Sequence, residues 1–227
     1  MESVKQRLKS ILGFALIEKF KYFRHLRNKP VKILDVGCGN RSPSKTKKFF
    51  PLCEYHCIDK EFYNLADEDF KVMDKFFNKD LEKDLLEDIQ DNYYDIVIMS
   101  HVIEHIKNGL EVLDKISQKV KSGGYIYIEF PDINSFNLPS MKGTLHFCDD
   151  ETHIRCYAPH EIINILLDND FKIIFSRTRR NMYRILLMPF LITYHYIRQV
   201  PIAGDFWDIT GFAYQILAQK KDREKYC

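Results

Sequence analysis

The stretch "ILDVGCGN", residues 33–40, decides the fold. Its first half is a short apolar, β-branched run suited to a strand buried on both faces. Two glycines one residue apart follow at once. Gly37 permits a tight turn, and Gly39 removes a side chain where a ligand could approach the backbone closely. Asp35 places a carboxylate at the end of that strand, a costly position unless donors or a cation meet it. A dinucleotide-binding turn reads G-x-G-x-x-G, but Ser42 holds the third glycine position, which weakens the case for a pyrophosphate on the following helix.

Around this turn, strand and helix signals alternate. "VKILDV" (31–36), "EYHCID" (54–59), a weaker "FKVMD" (70–74), "YYDIVIMS" (93–100), "YIYIEF" (125–130) and "FKIIFSRT" (171–178) read as successive strands. "GFAYQILAQKK" (211–221) reads as a last strand returning beside the sixth. A helix is expected from about His101 to Val120, loosened at Asn108-Gly109 and closed by "KSGG", and another over 159–170. The aromatic run "NMYRILLMPFLITYHYI" (181–197) reads as a helix packed over the last two strands. This order predicts an α/β, Rossmann-like, doubly wound sheet of seven mostly parallel strands with an antiparallel last strand, plus an extra N-terminal helix. The whole chain, 1–227, reads as one domain with a helical extension (1–29), a lid loop (131–158) and a helical insertion (181–210).

With 45% hydrophobic and 29% charged residues, the chain can bury one sizeable core. A net charge of +2 argues against nucleic-acid binding through bulk charge. The six cysteines show no paired C-x-x-C spacing and read as reduced thiols of a cytoplasmic protein. Near the start, Lys5, Arg7 and Lys9 precede the apolar "ILGFALI", but Glu18-Lys19 follows with no small-residue cleavage site, so a secretory signal is rejected. An amphipathic helix packed on the domain is expected there, with peripheral membrane contact through its basic face as the alternative.

"SHVIEH", residues 100–105, spells the H-x-x-E-H of one zinc-peptidase group. Such a peptidase needs the motif inside a helix with a distant third ligand, whereas here it comes directly after a buried strand, so the peptidase reading is rejected. On a helix, His101 and His105 stand one turn apart with Glu104 beside them, and the three can converge on one point.

"ILDVGCGN", then "CIDK" (57–60), "KDLE" (79–82), "YDIVIMSHVIEHI" (94–106) and "VKSGGYIYIEFPD" (120–132) resembles the ordered motif series of class I S-adenosylmethionine-dependent methyltransferases. The resemblance implies that Gly37, Cys38 and Gly39 pass under the methionine part of the cofactor, with Asp35 turned toward its amino group. It implies that Asp59, with Lys60 beside it, takes the ribose hydroxyls, that Asp80 and Leu81 flank the adenine, and that Ser100 and His101 face the methyl group. Asp80 could equally cap a helix over "LEKDLLEDI". Many members of the family carry a further glycine where Arg41 stands here.

For catalysis, His101, His105 or His153 is expected to serve as base toward an acceptor hydroxyl, with S-adenosylhomocysteine as the other product. Some relatives that methylate ribose or quinol hydroxyls carry a glutamate and histidine in this helix and a later histidine. That likeness allows a divalent metal on His101, Glu104, His105 and His153, with His101 where those relatives carry another glutamate, a version not favoured. "ETHIRCYAPHEI" (151–162) with the following "FKII" resembles the branch that modifies sugars or surface polysaccharides. The expected activity is therefore O-methylation of a small-molecule, sugar or surface-polysaccharide precursor. An NAD- or nucleotide-sugar-dependent Rossmann enzyme and a non-catalytic adenosyl-binding module are the alternatives.

Overall fold

A computed structural model describes residues 17–222. The membrane-contact expectation for the N-terminal helix falls mainly on residues 1–16, outside the described residues. Next along the chain come a short helix α1 (Glu18–Lys21) and a 3-10 turn, Arg24–Leu26.

Seven strands form one sheet: β1 (Lys32–Val36), β2 (Glu54–Asp59), β3 (Lys75–Asn78), β4 (Tyr94–Ser100), β5 (Val120–Pro131), β6 (Phe171–Thr178) and β7 (Ala213–Lys220). Their spatial order is β3-β2-β1-β4-β5-β7-β6. β7 runs antiparallel to both neighbours, and the remaining pairings are parallel. The fold class read from the sequence is the one found. Side chains alternate across the pleat into two apolar layers. Leu34, Val36, Val97, Met99, Ile126 and Ile128 face one side, where they meet Val112, Leu113 and Ile116 of α4 (Gly109–Lys119) and Ile162 and Leu166 of α5 (Pro159–Asp168). Ile33, Ile96, Ile98 and Tyr127 face the other, against Phe20 and Phe49, whose rings lie 5.1 Å apart. Phe49 ends α2 (Ser42–Phe49), so the apolar face of this helix and the stub of α1 close that layer together.

Several boundaries differ from expectation for definable reasons. "FKVMD" is not the third strand; its first half ends helix α3 (Asp67–Val72), and the strand is the subsequent "KFFN". The buried Asp69 carboxylate binds the Ala66 N–H at 2.9 Å and the Ser44 N–H at 3.0 Å, and this capping outweighs the β-branched signal. The helix expected from His101 begins only at Gly109. "KSGG" does not close a helix; it lies inside β5 as a bulge, since Tyr94 pairs with Val120 while Ile96 pairs with Tyr125. The aromatic run forms helix α6 (Met182–Ile197), yet it is not packed over the last strands, because none of its residues is buried. It leans instead on α7 (Ala203–Thr210).

Candidate active site

At the carboxyl end of β1, Gly37 adopts φ +74°, and a β-carbon there would lie 2.3 Å from Val102 Cγ2. A β-carbon on Gly39 would lie 2.9 Å from the Tyr63 ring. Both glycines are thus required by this backbone. The Gly37 N–H donates to Ile58 O of β2 at 2.8 Å, and Cys38 is buried beneath the turn. Asn40 and Arg41 then take left-handed conformations and feed α2. Arg41, the departure from the usual glycine, reaches Asp69 at 3.0 Å and ties α2 to α3. The family resemblance turns Asp35 toward the cofactor, but its Oδ2 accepts from Ser42 Oγ at 2.5 Å, Tyr55 OH at 2.8 Å and Lys19 Nζ at 3.4 Å. The carboxylate finds its donors within the protein and braces the turn from below.

Asp59 ends β2 at the same sheet edge, half-buried, receiving one long bond from the Glu61 N–H at 3.4 Å. Burial raises its pKa, so an ionised Asp59 gains from any further donor that arrives. Lys60 is exposed beside it. Asp80 caps a turn rather than a helix, binding the Glu82 N–H at 3.1 Å and Lys83 Nζ at 2.7 Å, with Leu81 half-buried next to it. The glycine turn, Asp59, Asp80 and Ser100 all follow or close parallel strands at one edge, where open α/β sheets bind ligands.

The "SHVIEH" segment is a turn, so its two histidines part instead of converging, with Glu104 between them. His101 has φ +55°, and only Ile103–His105 make a single 3-10 turn. His101 points toward β5: its Nδ1 lies 3.1 Å from Glu104 Oε1 and its Nε2 3.0 Å from Glu129 Oε1. Burial alone would lower its pKa, but the two carboxylates outweigh it and push the pKa up to about 9. His101 is therefore an imidazolium with both N–H groups engaged, which corrects the expectation that it offers a free base. His105 points toward the lid, with Nδ1 at 2.9 Å from Thr152 Oγ1 and 3.2 Å from Thr152 O. The Thr152 hydroxyl proton goes to Asp150 at 2.5 Å, so the Thr152 oxygen accepts from His105 Nδ1–H. His153 likewise donates from Nδ1, to Phe147 O at 2.6 Å. The His105 and His153 rings are 4.9 Å apart. Ligand atoms of Glu104, His105 and His153 lie within 4.8 Å of one another. Glu104 is buried, and its Oε2 has no partner among the described residues.

Residues that no motif announced extend this site into the C-terminal third. Glu129 accepts from Arg179 at 2.8 Å and from the Tyr127 hydroxyl. Although burial opposes it, the Arg179 charge holds the Glu129 carboxyl well below the usual range. Arg179 grips Asp208 of α7 through two bonds of 3.0 Å each. Asp208 also meets Arg184 at 3.0 Å, and Asp205 binds His195 at 2.6 Å. Charges of alternating sign thus run from Glu104 through His101, Glu129, Arg179 and Asp208 to α6. Trp207 completes the wall, 4.8 Å from the His101 ring and donating to Thr144 O of the lid at 2.7 Å. The available signal was local: a glutamate, Glu129, one residue before the end of "YIYIEF" and an arginine pair just after β6.

The lid, expected as an unbroken loop, carries two 3-10 turns, Ile133–Asn137 and Phe147–Asp149. Asp149 organises it by accepting from the Met141, Leu145 and His146 N–H groups and the Ser140 hydroxyl. Ile154 and Arg155 donate to Glu104 O, which joins the lid to the "SHVIEH" turn.

A family model described as a methyltransferase domain matches residues 8–175. Among curated proteins, the chain is 27% identical over 167 residues to a hybrid PKS-NRPS synthetase of Acremonium sp., covering 67% of this chain and 4% of that protein. It is 30% identical over 150 residues to an uncharacterised protein of Methanocaldococcus jannaschii, covering 62% of this chain and 40% of that one. The chain thus spans well under two thirds of either relative. Among solved structures it resembles a SAM-dependent methyltransferase from Archaeoglobus fulgidus, with TM-score 0.54, 20% identity and coverage of 93% and 94%. It also resembles the plantazolicin methyltransferase BpumL in complex with SAH, with TM-score 0.57, 18% identity and coverage of 96% and 87%. The [4+2]-cyclase SpnF shares the fold as well, with TM-score 0.52, 14% identity and coverage of 90% and 81%.

Proposed function

The chain belongs to the methyltransferase-domain family, and from that premise we propose that it is an S-adenosylmethionine-dependent methyltransferase acting on a hydroxyl of a small molecule, a sugar or a surface-polysaccharide precursor. The fold alone does not carry this, since a similar fold belongs to a [4+2]-cyclase. The observation that carries it is a side-chain-free glycine turn and an acid, Asp59, on one sheet edge, flanked by two histidines whose Nδ1 atoms are tied to the lid and whose rings lie 4.9 Å apart.

The residues fit the cofactor. Val102 and Tyr63 pack where β-carbons on Gly37 and Gly39 would stand, so the turn keeps its tight, side-chain-free course at the carboxyl edge of the sheet, and Asp59 has acceptor capacity for a diol. When bound, S-adenosylmethionine supplies a sulfonium methyl that an acceptor oxygen takes by direct displacement, releasing S-adenosylhomocysteine. In this reading the backbone at Cys38 would run along the methionine end, Lys60 would stand by the ribose, and Asp80 with Leu81 would flank the adenine. His105 or His153 takes the hydroxyl proton at Nε2. His101, held as a cation, positions Glu104 and does not exchange that proton. The lid excludes water from the transfer.

One observation favours a second reading: the orphaned Glu104 Oε2 stands with His105 and His153 in a donor set that suits a divalent cation. Such an ion would lower the pKa of the hydroxyl. Release of S-adenosylhomocysteine across a panel of hydroxylated acceptors tests the main reading, and tight cofactor binding with no product from any acceptor would leave only an adenosyl-binding module. Unchanged turnover after dialysis against a chelator would remove the metal.

A further inference from the structure

We infer that helix α6 is a membrane-docking element that lies in the interface of an anionic bilayer. α6 has sixteen residues, none of them buried. Its outward positions are apolar, with Leu186 71% exposed and Phe190 74% exposed, and Tyr183, Tyr194, Tyr196 and Ile197 beside them. A continuous apolar face of this kind on a protein surface marks an interaction site. The only ionisable groups in the helix other than tyrosines are Arg184 and His195, and both turn inward to Asp205 and Asp208 of α7. These ion pairs hold the helix rigidly against the body while its apolar side faces outward.

The surrounding charge indicates what covers that side. From Phe171 to Gly204 the chain contains no Asp or Glu. Lys172, Arg177, Arg180 and Arg198 are exposed along the same span, with Arg180 just before the helix and Arg198 just after it. Apolar and tyrosyl side chains between basic ends suit acyl chains beneath anionic headgroups. A second copy fits less well, because a two-fold pairing of antiparallel α6 helices would set Arg180 against Arg198 of the other copy. At about 1.5 Å per residue the helix is too short to span a bilayer, and no helix among the described residues is long and apolar enough to cross one. An in-plane orientation remains.

The test is flotation of the full chain with phosphatidylcholine vesicles, with and without phosphatidylglycerol, beside the double variant Leu186→Glu, Phe190→Glu. The wild-type chain is expected to float with the anionic vesicles and to release as salt rises, and the variant to lose at least about tenfold in partition. Its melting curve and S-adenosylhomocysteine titration should match the wild type, since both positions are exposed. Residues 1–16 remain in the variant, so undiminished flotation would overturn the proposal. Equal binding to neutral vesicles, or a dimer abolished by the variant with no vesicle binding, would also overturn it.

Discussion

The two ends of the sheet are built by different means. On the β1–β3 side, the ligand edge is made of backbone: two glycines that tolerate no β-carbon, and acids that end strands. On the β5–β7 side, the corresponding edge is made of side chains, a chain of charges from Glu104 to Asp208 that links the end of β4 to the helical insertion. A cofactor common to a family can be met by fixed backbone geometry, while an acceptor must be met by replaceable side chains on a lid and an insertion. The comparison predicts that lesions on one side strike cofactor binding, and lesions on the other strike stability and turnover.

The largest effect is expected from Arg179→Ala. It removes the guanidinium shared by the buried Glu129 and Asp208 and leaves only His101 and Arg184 to face them, a loss of about 3–5 kcal/mol, measured by denaturant unfolding. Gly37→Ala comes next. The clash with Val102 and the left-handed backbone predict a destabilisation of about 2–4 kcal/mol together with loss of cofactor binding, read by melting and calorimetry.

His101 gives a pH test. Its folded pKa of about 9 lies above the ordinary imidazole value, so its contribution is fully present below about pH 6.5 and disappears as pH rises through about 9. The amplitude, reduced for partial exposure, is on the order of 2 kcal/mol. In His101→Gln that pH window should flatten, and a wild-type profile unchanged by the substitution would contradict the charged assignment.

Smaller still, Asp59→Ala should weaken cofactor binding about 10–100-fold with little change in melting temperature. His105→Ala should spare cofactor binding and lower turnover by about 10²-fold or more. Equal losses of cofactor affinity in the two variants would erase the division between the edges.

Much of the first side is legible in the sequence because its demands are local. Gly37 and Gly39 adjoin the strand they terminate, and strand alternation reports both apolar layers. The third strand lies later than its signal because Asp69 caps a helix through Ser44 and Ala66, contacts that "FKVMD" does not reveal. The "SHVIEH" helix is absent because the left-handed His101 and the contact of Gly109 with Tyr157 set the helix start eight residues later. The charge network is legible only as isolated charges, not as a network. Its members are drawn from positions 101 to 208, and no local pattern links Glu129 to Arg179 or Arg179 to Asp208. In α6, hydrophobicity reads as packing, but with both ionisable side chains turned toward α7, the apolar face is left outward.

The central claim is that the glycine-turn edge is an adenosyl site of methyltransferase type. Isothermal calorimetry of the full chain with S-adenosylmethionine, S-adenosylhomocysteine and NAD tests it most directly. Saturable binding of both sulfur compounds, lost or weakened in Asp59→Ala, with no heat from NAD, is the predicted result. Binding of NAD alone would contradict it.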